Sequence, residues 1–217
     1  MGKIKIGIGV ILVVFVLIMT ARSDVFVLYG TCALLHEAGH IVAARRRGIR
    51  IKEIRFDVSG MRICTEECAG SYTDEFVLCM SGPLVNVIII AVGAGVFWHK
   101  NMDVSAIASA IEDFAQCKAG SYYGALGFFM ICSVIQGGLN LLPIKTFDGG
   151  RMLFCLCAMA FGSRTAERVI GVTSAFCMLA IWTVALYLMI RVDAGLSIYT
   201  FAACVFLGTL RDKELIE

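Results

Sequence analysis

Six apolar stretches, each near the length needed to cross a bilayer, constrain this chain more than any other feature of it. A helix spans the hydrocarbon with about 20 residues. The runs 6–21, 25–44, 76–98, 122–144, 169–190 and 194–210 are predicted spans, the first and last being the shortest. Of the residues, 59% are hydrophobic and 17% charged, against roughly 45–50% and about 25% in soluble domains. Lipid is therefore the expected solvent, and no nucleic-acid partner is expected. In lipid the backbone must satisfy its own hydrogen bonds. The expected fold is an all-α polytopic membrane protein of about six transmembrane helices. Residues 152–161 are apolar but too short to span, and predict a half-helix. No convincing small-residue cleavage site follows the first run, so it reads as a retained anchor.

Basic residues then orient the spans, because Lys and Arg concentrate on the cytoplasmic side. With the N-terminus inside, fifteen of the nineteen fall on inner segments. Only Arg22, Lys100, Lys118 and Arg191 fall outside. Both termini are expected in the cytoplasm, in a multi-pass protein of the cell membrane.

Two connections carry their own patterns. Residues 51–64 partly alternate apolar and polar, with Ser59-Gly60 at a turn, and predict a short membrane-associated β-hairpin after the second span. Its strands offer an edge to which an unwound peptide adds, or else it only caps the bundle; on the first reading, Pro at Phe56 or Val58 removes edge donors. Residues 103–118 put Val104, Ile107, Ala108, Ile111, Phe114 and Ala115 at helical spacing, predicting an amphipathic helix on the outer surface. Most of the ten Cys lie in apolar runs as small hydrophobes. Cys64 and Cys68 have no second pair at zinc-finger spacing. The chain is expected to be one domain, 1–217.

The chemistry concentrates in His36-Glu37-Ala38-Gly39-His40, an HExxH motif in a chain with three His and nine Glu. Four residues advance a helix by about 400°, so both imidazoles leave one face and can share a metal. Glu37 lies beside that face, positioned to take a proton from water activated there. Ionisable residues inside a span are costly unless functional. A zinc site needs a third protein ligand. His99 lies at the opposite mouth. Asp148 lies at the depth of the two histidines, but it equally reads as the N-cap of the helix that follows. Spacing alone leaves those readings nearly even.

Three separated motifs resemble the site-2 protease family of intramembrane zinc metalloproteases. They are His36-Glu37-Ala38-Gly39-His40; Ser81-Gly82-Pro83-Leu84-Val85-Asn86; and Asn140-x-x-Pro143 leading into Asp148-Gly149. Both prolines of the chain fall within them. The match runs over a core of 25–151. Within the family, six spans with a cytoplasmic site most resemble the branch of stage IV sporulation protein FB. The resemblance implies one zinc ion per chain, held by His36, His40 and Asp148, with Glu37 activating water. It also implies Asn86 and Asn140 near substrate, a membrane-spanning or membrane-associated protein cut near the cytoplasmic face. Neither a CBS nor a PDZ domain is read in the sequence. The rival expectation is a catalytically silent scaffold of the same fold that binds membrane helices. A metal transporter fits less well, because its ligands would be distributed through the membrane.

Overall fold

The computed structural model describes residues 3–6, 23–49, 51–57, 60–65, 71–116 and 122–192. The described elements are β1 (Lys3–Ile6), α1 (Ser23–Arg46), β2 (Ile51–Asp57), β3 (Gly60–Thr65), α2 (Tyr72–His99), α3 (Val104–Ala115), α4 (Tyr122–Asn140), α5 (Asp148–Phe161) and α6 (Ser163–Val192). Among the described residues, four helices are long and apolar enough to cross a membrane: α1, α2, α4 and α6. The predicted span at 194–210, and all of that at 6–21 beyond Ile6, lie outside the described residues.

The bundle's surface is apolar, and several of its polar groups turn inward. Leu34, Leu84, Val87, Val134, Phe176 and Leu179 face outward, more than half exposed, while His36, His40, Asn86, Ser133, Gln136 and Ser174 are buried. Where the surrounding solvent is hydrocarbon, outward leucines cost nothing and polar groups turn inward to find partners.

Helix ends follow local chemistry. Asp24 in the first turn of α1 and Arg45 and Arg46 in its last complement the helix dipole. Gly48, at φ 68°, closes α1 in the left-handed conformation that glycine adopts without strain, and Ile49 N–H bonds back to the Ala44 carbonyl at 3.0 Å. Ser71 caps α2 by accepting from Asp74 N–H at 3.2 Å. Asp103 caps α3 by accepting from Ala106 N–H and from the Ser105 hydroxyl, which hold its carboxyl below the usual carboxylate range. α3 lies against α4, where Phe114 meets Phe128 with ring centroids 5.5 Å apart.

Two expectations need correction. The fourth span was expected to run to residue 144, but α4 stops at Asn140. Pro143 has no N–H to continue a helix and pushes its predecessor out of the α region. The chain turns instead, and Ile144 and Phe147 bury themselves against Met178 of α6, where Lys145 N–H donates to Ser174 Oγ at 3.0 Å. The second concerns the sheet. β2 and β3 pair antiparallel, with Phe56 opposite Met61 and Asp57 opposite Gly60; Ser59 of the expected turn lies outside the described residues. β1 pairs parallel to β2 on its other side, giving the order β1-β2-β3. Phe56 therefore sits on a strand paired on both sides, and the donors it was expected to offer as an edge are already used. Among the described residues the outer edges belong to β1 and β3.

Candidate metal centre

Three helices and a turn assemble the site. α1 and α2 approach closely at Gly39, where a methyl group would lie 2.7 Å from the Ser81 carbonyl oxygen. That approach presses the one face of α1 that carries His36 and His40 against α2. Their rings stand edge to face, with centroids 5.0 Å apart. Opposite them on α2 is Gly82, a position where a Cβ would fall 2.6 Å from His36 Nε2 and closer still to His40 Nε2. The absent side chain leaves a pocket lined by the two ring nitrogens.

The turn after α4 delivers the carboxylate. Gly149 and Gly150 pack directly on the backbone of Leu141 and Ile144, where any Cβ would overlap it. This contact sets Asp148 back beside Asn140. Asp148 Oδ2 lies 3.1 Å from His36 Nε2 and 3.2 Å from His40 Nε2. The N-cap of α5 is Phe147, without a side-chain cap bond. Of the two readings of Asp148 that spacing left open, its carboxylate thus turns to the histidines. An ion pair between Arg151 and Glu75, 2.9 Å, ties the same turn of α5 to the start of α2.

The hydrogen bonds around the rings decide what can sit between them. His40 Nδ1 faces the Leu78 carbonyl at 2.8 Å. A carbonyl only accepts, so Nδ1 carries the proton and the Nε2 lone pair points at Asp148. Asn140 Nδ2 donates to His36 Nε2 at 3.1 Å, so that nitrogen also presents a lone pair. Two lone pairs and a carboxylate oxygen converging at this range call for a cation. Tetrahedral zinc with ligands near 2.0–2.1 Å separates its donor atoms by about 3.3 Å, close to the two distances from Oδ2. All three donor atoms lie within 4.8 Å of one another.

Asn86 supplies a second test of fit. Its side-chain amide lies against His36 Nδ1 at 3.1 Å, while Asn86 Oδ1 is buried without a partner. Turning the amide over points Oδ1 at a protonated Nδ1, which is the tautomer that frees Nε2 for a metal. The donor set fits zinc. Asn86 is buried, its amide on the Nδ1 side of the His36 ring, while the Nε2 atom faces Asp148.

Comparisons with known proteins identify the family. Residues 25–183 match the family model described as peptidase family M50. The chain belongs to peptidase family M50. A curated zinc metalloprotease of Methanocaldococcus jannaschii is 24% identical over 157 residues, a stretch covering 71% of this chain and 41% of that protein's length. The solved structure of a site-2 protease from the same organism superposes with a TM-score of 0.64 at 21% identity, covering 96% of this chain and 89% of that one. That likeness shows a fold shared by the two chains.

His36, His40, Asp148 and Asn140 are brought together, and Glu37 follows His36 on α1, partly exposed. His99 ends α2, 17 residues beyond Gly82 and remote from the site. Sequence reasoning missed the Leu78 carbonyl, which leaves no trace in side-chain chemistry, and Ser81, whose hydroxyl lies 3.3 Å from His40 Nδ1. It quoted Gly82 within a motif without seeing its use. The signal available was a Gly-Pro pair inside a helix, where both residues are locally unfavourable.

Proposed function

We propose that this M50 chain is an intramembrane zinc metalloendopeptidase, a single domain that cuts a membrane-spanning or membrane-associated protein near the cytoplasmic face. The observation that carries the reading is the convergence of His36 Nε2, His40 Nε2 and Asp148 Oδ2 on the gap that Gly82 leaves. His36, His40 and Asp148 would hold one zinc ion. A zinc ion bound there supplies Lewis acidity, lowering the pKa of an adjacent water toward about 7 and polarising the scissile carbonyl. Glu37 accepts the water's proton on a carboxylate oxygen and returns it to the departing amine. Asn86 fixes the ring and tautomer of His36. Asn140 aims its Nδ2 into the donor cluster, where it donates to a substrate carbonyl oxygen.

A substrate helix shields its own carbonyls and unwinds before cleavage. The outer edge of β3 has unpaired main-chain groups among the described residues and receives the unwound segment as an added strand. Cytoplasmic cleavage follows from the distribution of Lys and Arg, and matches the branch of stage IV sporulation protein FB.

The test is metal content and cleavage of detergent-purified protein, using a panel of single-span peptides. Wild type is expected to hold one zinc and cut. Glu37→Gln should keep the metal and lose cleavage, and Asp148→Ala should lose both. A wild type that binds no zinc while folded overturns the reading. Zinc without cleavage of any peptide favours the silent scaffold.

A further inference from the structure

Among the described residues, two buried side-chain oxygens outside the site lack a hydrogen-bond partner, Thr146 Oγ1 in the turn after α4 and Gln136 Oε1 within the bundle. Gln136 of α4 is 8% exposed, and its Oε1 is buried without a hydrogen-bond partner. A buried amide oxygen without a donor is destabilising in a low-dielectric interior. The position of Gln136 is fixed by its neighbours. Ser133 and Asn140 lie on the same face of α4, three residues before it and four after, as helical periodicity requires. Ser133 Oγ meets Cys32 Sγ of α1 at 3.2 Å, and Asn140 meets His36. Gln136 thus stands in the seam between α1 and α4, bracketed by one contact on either side, one turn deeper than the metal centre.

What meets its oxygen must bring a donor. A buried water needs two to four polar partners. Ser133 is already engaged with Cys32 and with the Phe129 carbonyl at 3.0 Å, and the Asn140 amide is turned to the donor cluster. A substrate unwound beside the metal, in contrast, arrives with main-chain N–H groups that have lost their helical acceptors. Each would be costly in this interior unless it found a new one.

We propose that Gln136 is a substrate-positioning residue, its Oε1 accepting one main-chain N–H of the unwound segment next to the scissile bond. The inference rests on the protease reading and extends it, since it assigns a share of the unwinding to a named acceptor. It also accounts for an amide that hinders folding of the free protein and becomes satisfied only when a peptide is bound.

The test uses Gln136→Met, which keeps length and removes the amide. A set of Leu/Ala single-span peptides with a central Asn-Gly pair supplies the probes, each carrying one amide-to-ester replacement at a position flanking the scissile bond. Binding is read by fluorescence anisotropy in the Glu37→Gln background, and cleavage in the active chain. Gln136→Met should keep its zinc, unfold no more easily than wild type, and lose about 10-fold or more in binding and in kcat/KM. One ester position should weaken wild type by a similar factor and leave Gln136→Met unaffected, because both changes remove the same bond. Equal binding by Gln136→Met and wild type overturns the assignment. So does a loss that is uniform across every ester position, which would mark a purely structural role or a trapped water. If wild type binds these peptides but cuts none, the protease reading fails, and the ester comparison in binding still decides the role of Gln136.

Discussion

The two halves of α2 solve the same packing problem with opposite fillings. In lipid, helices approach where residues are small, and α2 uses glycine for this at both ends. At Gly82 the space is occupied by the imidazoles of His36 and His40. At Gly93, three turns on, it is occupied by the thioether of Met130 from α4, and Ile111 of α3 fills the comparable gap at Gly127. The first filling is polar and held by hydrogen bonds from behind. The second is apolar and flexible. Close approach is therefore a general device of this bundle, and chemistry arises only where the filling side chains have no freedom to move.

The largest expected effect breaks the comparison at its rigid end. Gly82→Ala introduces a methyl group against two ring nitrogens that Leu78, Asn86 and Asn140 hold in place. The rings must shift, and a displacement of about 1 Å at a reacting centre costs on the order of 100-fold. Zinc content should collapse and cleavage should fall by at least ~100-fold, while the helices persist by circular dichroism. Full zinc occupancy with normal cleavage in Gly82→Ala would show that the imidazoles yield as easily as Met130 does, and the distinction would be lost.

A smaller effect is expected one residue behind the site. Asn86→Leu removes the acceptor for His36 Nδ1 without touching the donor atoms. Loss of such an orienting partner costs about 10–100-fold in metal affinity, measurable by competition with a chelator. Asn86→Asp retains an acceptor and should stay near wild type. If Leu and Asp at this position bind zinc equally, Asn86 does not fix the tautomer.

How much of this was open to reading in the sequence differs between the two halves. The spacing of His36 and His40 forces them onto one helical face whatever the surroundings, so the two ring nitrogens were legible. Asp148 was legible only by its resemblance to a known motif, because its distance from the histidines depends on a turn closed by Gly149 and Gly150 on Leu141 and Ile144. Four apolar runs announced their helices, and the alternation in 51–64 announced paired strands. The third strand did not announce itself: Lys3–Ile6 reads as the prelude to an apolar run, and pairing with Glu53–Phe56 joins segments some fifty residues apart. The end of α4 was misjudged because apolarity continues past Pro143 while the backbone cannot. Packing at Gly93 and Gly127 was illegible, since glycine in a membrane helix does not state what fills the space beside it.

At the flexible end the effect should be on stability alone. Gly93→Ala crowds Met130, an unbranched side chain that repacks more easily than most. Overpacking of this kind costs about 1–3 kcal/mol. The variant should unfold earlier in a detergent or denaturant titration, yet hold one zinc and cleave normally per folded molecule. Loss of zinc in Gly93→Ala would mean that the two halves of α2 are mechanically coupled, and that the distant glycine belongs to the site.

The smallest expected effect has the opposite sign, and it separates glycine as a spacer from glycine as a residue. Gly95 lies two positions beyond Gly93 on the same helix, and a methyl group there would meet nothing within 4 Å. Alanine at that position displaces no neighbour, so only backbone terms remain. Glycine in a helix interior is destabilising by roughly 0.5–1 kcal/mol relative to alanine, and the lower part of that range applies where the helix survives in the denatured state. Gly95→Ala should therefore raise stability by about 0.5 kcal/mol and leave zinc binding unchanged. A destabilised Gly95→Ala would mean that this face of α2 is covered in the membrane by a neighbour needing the close approach. The line between spacer and bystander glycines would then have to be drawn from the assembled protein rather than from the packing of α2 against α1, α4 and α5.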